Sequence, residues 1–251
     1  MSLRSAAPWL AIVALALVPL VAKTYFVHVA IVVLINITYT AAVYSVMRMG
    51  YLSLGHAGFI AIGAYTTVVL TTKFGVSPWI GIALAGPVAA LFAWGLGAVT
   101  LKLRGIYFSL AIFAFGEIVN AVFRAFDWLG GPAGLTGVPR PSFFGYTLAS
   151  HASFYYLVAV VAVGSLALLY RIEHTRYGRT LLTLKTGDTE KLAASLGIDA
   201  TRYKNVAFTL SCFVAGLMGA VHAHYLMFVS PSAFTFFYST DLLIYSMIGG
   251  L

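Results

Sequence analysis

The sequence is poor in the groups that water requires. Only 9% of its 251 residues are charged, 61% are hydrophobic, and mean hydropathy is +0.95. Soluble domains carry about 25% charged residues, so this composition excludes a water-solvated globule and points to a lipid solvent. Cysteine is nearly missing: Cys212 stands alone, inside an apolar run. A single thiol excludes an intramolecular disulfide and any cysteine-built metal centre. Acidic residues number 7 against 15 Lys and Arg, leaving a net charge of +8. That surplus does not indicate a nucleic-acid partner, which requires basic residues gathered on one folded face. Here they fall in short gaps between apolar runs, as in a membrane topology signal.

What the sequence does have is long apolar stretches. They lie near 7–22, 26–47, 56–72, 78–100, 104–125, 151–170, 205–227 and 236–251, and about 20 residues suffice to cross the hydrocarbon core. The expected fold is all-α, a polytopic transmembrane bundle of about eight spans forming one domain over residues 1–251. The first stretch follows Arg4 as a secretory signal would. Leu20-Val21-Ala22-Lys23 is a poor cleavage site, however, and the stretch reads as a retained helix.

Segment 171–204 is the only long polar stretch rich in Lys and Arg, and the positive-inside rule assigns it to the cytoplasm. Alternation from there puts Arg4, Arg48, Lys102 and Arg104 on the same side as Arg171, Arg176, Arg179, Lys185, Lys191, Arg202 and Lys204. Lys23, Lys73, Arg124 and Arg140 remain for the other side. The N-terminus is therefore expected inside, with 127–150 and 228–235 outside. The outer stretch from Asp127 to Pro139 has the glycines and prolines of a compact turned loop. It reads either as a connector or as a gate or docking surface.

The inner loop carries Tyr177-Gly178-Arg179 and then Thr186 to Gly197. Thr186 or Asp188 can cap a helix start, and Gly197 can take the left-handed position after its end. Leu192 and Leu196 share one face of the short helix between them. Alone in water such a helix is marginal, so it packs on its own bundle or on a cytoplasmic partner. A second start signal follows at Asp199 or Thr201.

Two polar features lie within apolar segments. Ser53 and His56 sit at a glycine-rich break with Gly50, Gly55, Gly58 and Gly63, where glycines permit close backbone approach or open a cavity. They read as pathway groups or as packing glycines with a satisfied histidine; Tyr65 reads as packing. Glu117 falls about 20 Å along its helix from Arg104. Charge at that depth costs about 2.5–3.5 kcal/mol on insertion scales. Glu117 is thus expected to face the bundle or a wet cavity with a partner, and Asn120 to share its face one turn later. Asp241 poses the same question nearer the outer surface. His222 and His224 point to different faces, which disfavours a shared metal. Ala215, Gly219 and Ala223, extended by Gly216 and Ala220, form a stripe of small residues that seats another helix, of this subunit or of another.

Several separated segments resemble permeases of branched-chain amino-acid ABC importers. They are Gly50-Tyr51-Leu52-Ser53-Leu54-Gly55-His56-Ala57-Gly58-Phe59 with Ile62-Gly63-Ala64-Tyr65, and Leu103-Arg104-Gly105-Ile106-Tyr107-Phe108 with Ala114-Phe115-Gly116-Glu117. Gly130-Gly131 with Gly134-Leu135-Thr136-Gly137, Leu196-Gly197-Ile198 with Thr201-Arg202-Tyr203-Lys204, and Phe228-Val229-Ser230-Pro231 complete the set. The likeness runs from about Tyr44 to Leu251 and is to the LivM-type member of paired permeases. It implies a heterodimer with a sister permease, two cytoplasmic ATPases and an external solute-binding protein, in a bacterial inner membrane. The chain has no Gly-x4-Gly-Lys-Ser/Thr phosphate loop, so ATP would be bound by another polypeptide, and no cofactor is expected. The resemblance makes the inner helix a coupling helix, with Glu190, Ala193, Ala194 and Gly197 as a degenerate form of the family's Ala-Ala-then-Gly pattern. Substrates carried by such permeases include branched-chain amino acids, urea, short amides and aromatic acids.

A stand-alone channel or secondary transporter is the alternative reading, and the coupling-type loop argues against it. A membrane enzyme would have to use His56 with Glu117, without any His-rich cluster or nucleophile motif. The last apolar segment, counted from Phe237 to Ile248, is about 18 Å long, short of a hydrocarbon core of about 30 Å. The expectation is either a longer natural chain or a half-helix opening onto a polar cavity.

Overall fold

The computed structural model describes Pro19 and residues 23–103, 105–143, 146–148, 150–184, 193, 195, 197 and 199–250. The expected first span at 7–22 lies outside them, apart from Pro19. Every later apolar segment is a helix, and one further helix, α6, lies in the polar stretch 171–204: α1 (Thr24–Met47), α2 (His56–Thr72), α3 (Pro78–Thr100), α4 (Ile106–Ala125), α5 (His151–Glu173), α6 (Arg176–Thr183), α7 (Ala200–Leu226) and α8 (Phe236–Gly250). Among the described residues, α1, α3, α4, α5 and α7 are long and apolar enough to cross a membrane; α2 is a shorter apolar helix of 17 residues and α8 has 15.

Local chemistry sets the boundaries. The Ser150 hydroxyl accepts from Ser153 N to start α5. Asp199 accepts from Arg202 N to start α7, several residues before the apolar run begins, so capping extends the helix beyond its hydrophobic part. Pro78 occupies the first turn of α3, where its missing N–H costs nothing. Gly197 has φ of +78°, the left-handed geometry expected of it. α6, capped by the Thr175 hydroxyl, is not signalled by the hydropathy pattern.

α7 is the axis of the bundle. Its small-residue stripe faces helices of its own chain: a Cβ built on Gly63 of α2 would lie 2.1 Å from the Gly216 carbonyl oxygen, and one on Gly219 2.5 Å from that of Ile60. Ala215 and Ala223 are buried in the same seam. α3 closes on the other side, with Ala89 against Gly216. α1 and α5 pack together and against α7, joining Val27, Ile31, Tyr39, Phe154, Val158 and Val221 in one core cluster. The outward surface stays apolar, with Ile37, Leu84, Leu91, Phe92, Val99, Leu110 and Val160 exposed. Such a surface needs hydrocarbon around it.

The connection after α4 folds into short strands. β1 (Leu135–Thr136) pairs antiparallel with β4 (Phe228–Val229), and β2 (Ser142–Phe143) with β3 (Tyr146–Thr147). Two of the family-like segments, Gly134-Leu135-Thr136-Gly137 and Phe228-Val229-Ser230-Pro231, are therefore one structural unit. Gly134, at φ of +81°, lies so close to β4 that a Cβ would stand 2.2 Å from the Val229 carbonyl oxygen.

Candidate functional site

The glycine-rich break before α2 is a crossing point. A Cβ on Gly58 would meet the Gly116 Cα at 2.9 Å, so the two family-like segments around His56 and Glu117 touch backbone to backbone. Gly55 is the residue before α2. Ser239 of α8 closes the same place by accepting from Ala57 N at 3.0 Å.

Ser53 and His56 are buried here. The Ser211 hydroxyl of α7 donates to the Ala42 carbonyl of α1 at 2.5 Å, so toward His56 Nε2, 3.1 Å away, it can only accept. His56 therefore carries its proton on Nε2, and Nδ1 accepts from the Ser53 hydroxyl at 3.0 Å. Both ring nitrogens are used, and the imidazole joins α2 to α7, whose Ser211 hydroxyl in turn reaches α1. His56→Leu would leave the Ser53 hydroxyl buried without its partner, costing about 1–3 kcal/mol. Thermal unfolding in detergent should show this loss, with Ser53→Ala on the same background recovering part of it; an unshifted midpoint would refute the assignment.

Asn120 and Glu117, about 60° apart around α4, differ in burial: Asn120 is buried and Glu117 exposed. The buried stripe of α4 runs through Ser109, Ile112, Gly116 and Asn120, and Glu117 is turned about 100° from Gly116. Asn120 is buried and donates to the Pro231 and Phe234 carbonyls at 2.8 and 3.0 Å, while its oxygen accepts from Arg124 Nε at 2.8 Å. It fastens the β4–α8 connection to α4. Glu117 instead faces outward between exposed Ala114, Ile118 and Ala121, and Asp241 of α8 is exposed as well. The expectation that Glu117 is held inside this bundle is corrected: the inward positions of α4 are taken by Gly116 against Gly58, Ile112 against Gly55 and Asn120 against the β4–α8 connection. Phe113 and Phe236 meet edge to face at 5.0 Å between α4 and α8.

At the Arg48 end, Tyr51 lies against Phe108 with centroids 4.5 Å apart, and its hydroxyl donates to the Leu101 carbonyl at 3.2 Å. Lys204 Nζ sits 4.7 Å above the Tyr51 ring, within cation–π range. Arg48 forms an ion pair with Glu173, joining α1 to α5. Hydropathy carried no sign of this pair. At the opposite end, His224 lies between the Thr67 hydroxyl at 2.7 Å and the Pro139 carbonyl at 2.7 Å. His222 faces Tyr39 on α1, so the two histidines serve different helices. Tyr65 stacks on Phe123 at 3.9 Å.

Of the coupling residues, Ala193 and Gly197 are described and Glu190 and Ala194 lie outside the described residues. Ala193 is helical and buried in its own chain, whereas Ser195 and Gly197 are exposed. The alanine side chain at 193 therefore packs inward.

A bundle of long apolar helices, clad outside in leucine, isoleucine and phenylalanine, is a multi-pass helical membrane protein. The chain belongs to the family described as branched-chain amino acid transport system / permease component, which it matches over residues 25–251. The high-affinity branched-chain amino acid transport system permease protein LivM of Salmonella typhimurium (strain LT2) is 35% identical over 226 residues, 80% of this chain and 53% of that protein. LivM of Escherichia coli (strain K12) is 34% identical over the same shares. The chain spans about half the length of the curated relatives it matches. No solved structure matches it.

Proposed function

We propose that this chain is a permease subunit of an ATP-binding-cassette importer in a bacterial inner membrane. It forms part of the path for branched-chain amino acids or related small solutes, with a sister permease, two cytoplasmic ATPases and an external solute-binding protein. The observation that carries the reading is the family match over residues 25–251. About eight spans with the N-terminus inside remain the proposed topology, and 171–204 the cytoplasmic coupling loop. The outward face of α4 supplies the pathway candidate. Glu117, with Asp241 on α8, brings carboxyl groups to a surface that lipid solvates poorly, and a water-filled seam against the sister subunit suits them. Ser53, Gly55, His56 and Asn120 hold α1, α2, α4, α7 and α8 in the register that presents this face.

The test is uptake of labelled leucine by proteoliposomes containing the permeases and ATPases, with the binding protein outside. Transport should require ATP and all partners. Replacing Ala193 and Ala194 by glutamate should abolish it, because a charge at buried Ala193 dislodges the coupling helix from its bundle and the helix then no longer docks the ATPase. Undiminished uptake in that variant, or uptake by the permease without ATPases, would sink the proposal.

A further inference from the structure

α6 and the helix ends beside it form a basic shelf to which the reading above assigns no role of its own. The inner side of α6 is tied to the bundle. Tyr177 stacks on Tyr203 of α7 with centroids 4.8 Å apart at 13°, and its hydroxyl donates to the Tyr203 carbonyl. Burial first, then the Tyr203 ring, pushes the Tyr177 phenol up to about 12, so it stays a neutral donor. Gly178 presses on the end of α5, where a Cβ would be 2.2 Å from the Glu173 carbonyl oxygen.

The outer side of α6 carries Arg176 and Arg179, both exposed. Exposed Arg171 at the end of α5 and Arg202 in the first turn of α7 flank them. Nearby acid is already engaged among the described residues: Glu173 pairs with Arg48, and Asp199 caps α7. The shelf also has a definite height. α5 and α7 are membrane-length apolar helices, and α6 lies where one ends and the other begins. Tyr170, one turn before the end of α5, is 63% exposed, as aromatic residues at a membrane–water boundary are.

We propose that this shelf binds the phosphate headgroups of anionic phospholipids in the leaflet it faces, with α6 lying along the bilayer surface. An amphipathic helix with a basic outer face is attracted to anionic lipid, and arginine forks match phosphate oxygens in pairs. The occupant is lipid rather than the ATPase because α6 follows directly on the end of the membrane-length α5, beside the exposed Tyr170 ring.

Native mass spectrometry of the purified importer complex, titrated with phosphatidylglycerol or phosphatidylcholine, tests this. The complex should retain phosphatidylglycerol preferentially. Arg176→Gln with Arg179→Gln should weaken retention about 30-fold, from about 1 kcal/mol per basic group, while Lys73→Gln at the opposite end changes nothing. Equal retention of the two lipids, or unaltered phosphatidylglycerol binding in the double variant, overturns the proposal. So does loss of the ATPase from a double variant that keeps its lipid. Inorganic phosphate that displaces the lipid at equal concentration would mark a site for soluble anions and overturn it as well. Should the double variant fail to assemble, salt decides on the wild-type complex. Retention must collapse as the screening length falls from about 10 Å at 0.1 M to about 3 Å at 1 M, and salt-insensitive retention overturns the proposal.

Discussion

Glu117→Leu should lower ATP-driven uptake by about tenfold or more while the subunit still assembles with its partners. A tenfold loss corresponds to about 1.4 kcal/mol, no more than one polar contact to solute or water in the path. The variant should fold normally, because the Glu117 side chain is exposed and the inward stripe of α4 through Ser109, Ile112, Gly116 and Asn120 is untouched. If the face met only lipid, removing the carboxyl would be neutral or stabilising. Wild-type uptake with a raised unfolding temperature is therefore the result that defeats the pathway assignment. Loss of the sister subunit on purification would make the residue part of the contact between permeases.

Gly63→Leu and Gly216→Leu should each prevent accumulation of folded subunit in the membrane. Any side chain at Gly63 meets the Gly216 backbone, with the oxygen at 2.1 Å and the Cα at 2.4 Å from a Cβ. Overpacking of a well-filled core costs about 1–3 kcal/mol where side chains can yield; Gly63 meets backbone, and Gly216 meets the Ala89 Cβ of α3 at 2.4 Å, a methyl fixed to its own backbone. Separating α2 from α7 also strains the His56–Ser211 hydrogen bond, so the damage spreads toward α1. Detergent-extracted protein measured by size-exclusion chromatography tests this: a monodisperse peak at wild-type yield would show that the seam can open. Gly95, with nothing within 4 Å of its Cβ position, is the control, and Gly95→Leu should be tolerated.

Legibility in the sequence followed the strength of the local signal. The helices of α1 to α8 other than α6 were readable because each apolar run has glycine, proline or charge at one end or both. The left-handed Gly197 was readable too, and of the two start signals, Asp199 and Thr201, the structure uses Asp199. Hydropathy passed over α6, since Arg176, Arg179 and the threonines dilute Tyr177, Leu181 and Leu182; the Thr175 cap with the Tyr177–Leu181 spacing is the signal that finds it. The Arg48–Glu173 pair and the Lys204–Tyr51 contact join residues far apart in the chain, and no local pattern encodes such pairs.

The sequence by itself determined the solvent, the helices and the family resemblance, because composition and short-range periodicity carry these. Tertiary structure decided which side each polar residue faces. His56 looked equally fit for a pathway or for packing until Ser53, Ser211 and the Ala42 carbonyl were brought around it. The small-residue stripe of α7 could have served a partner until Gly63 and Ile60 were found against it. Glu117 and Asn120, three residues apart, parted because the boundary of the buried stripe falls between them. Neighbouring helices draw that boundary, and the roughly 60° that separates residues three apart is enough to put one side chain on each side of it.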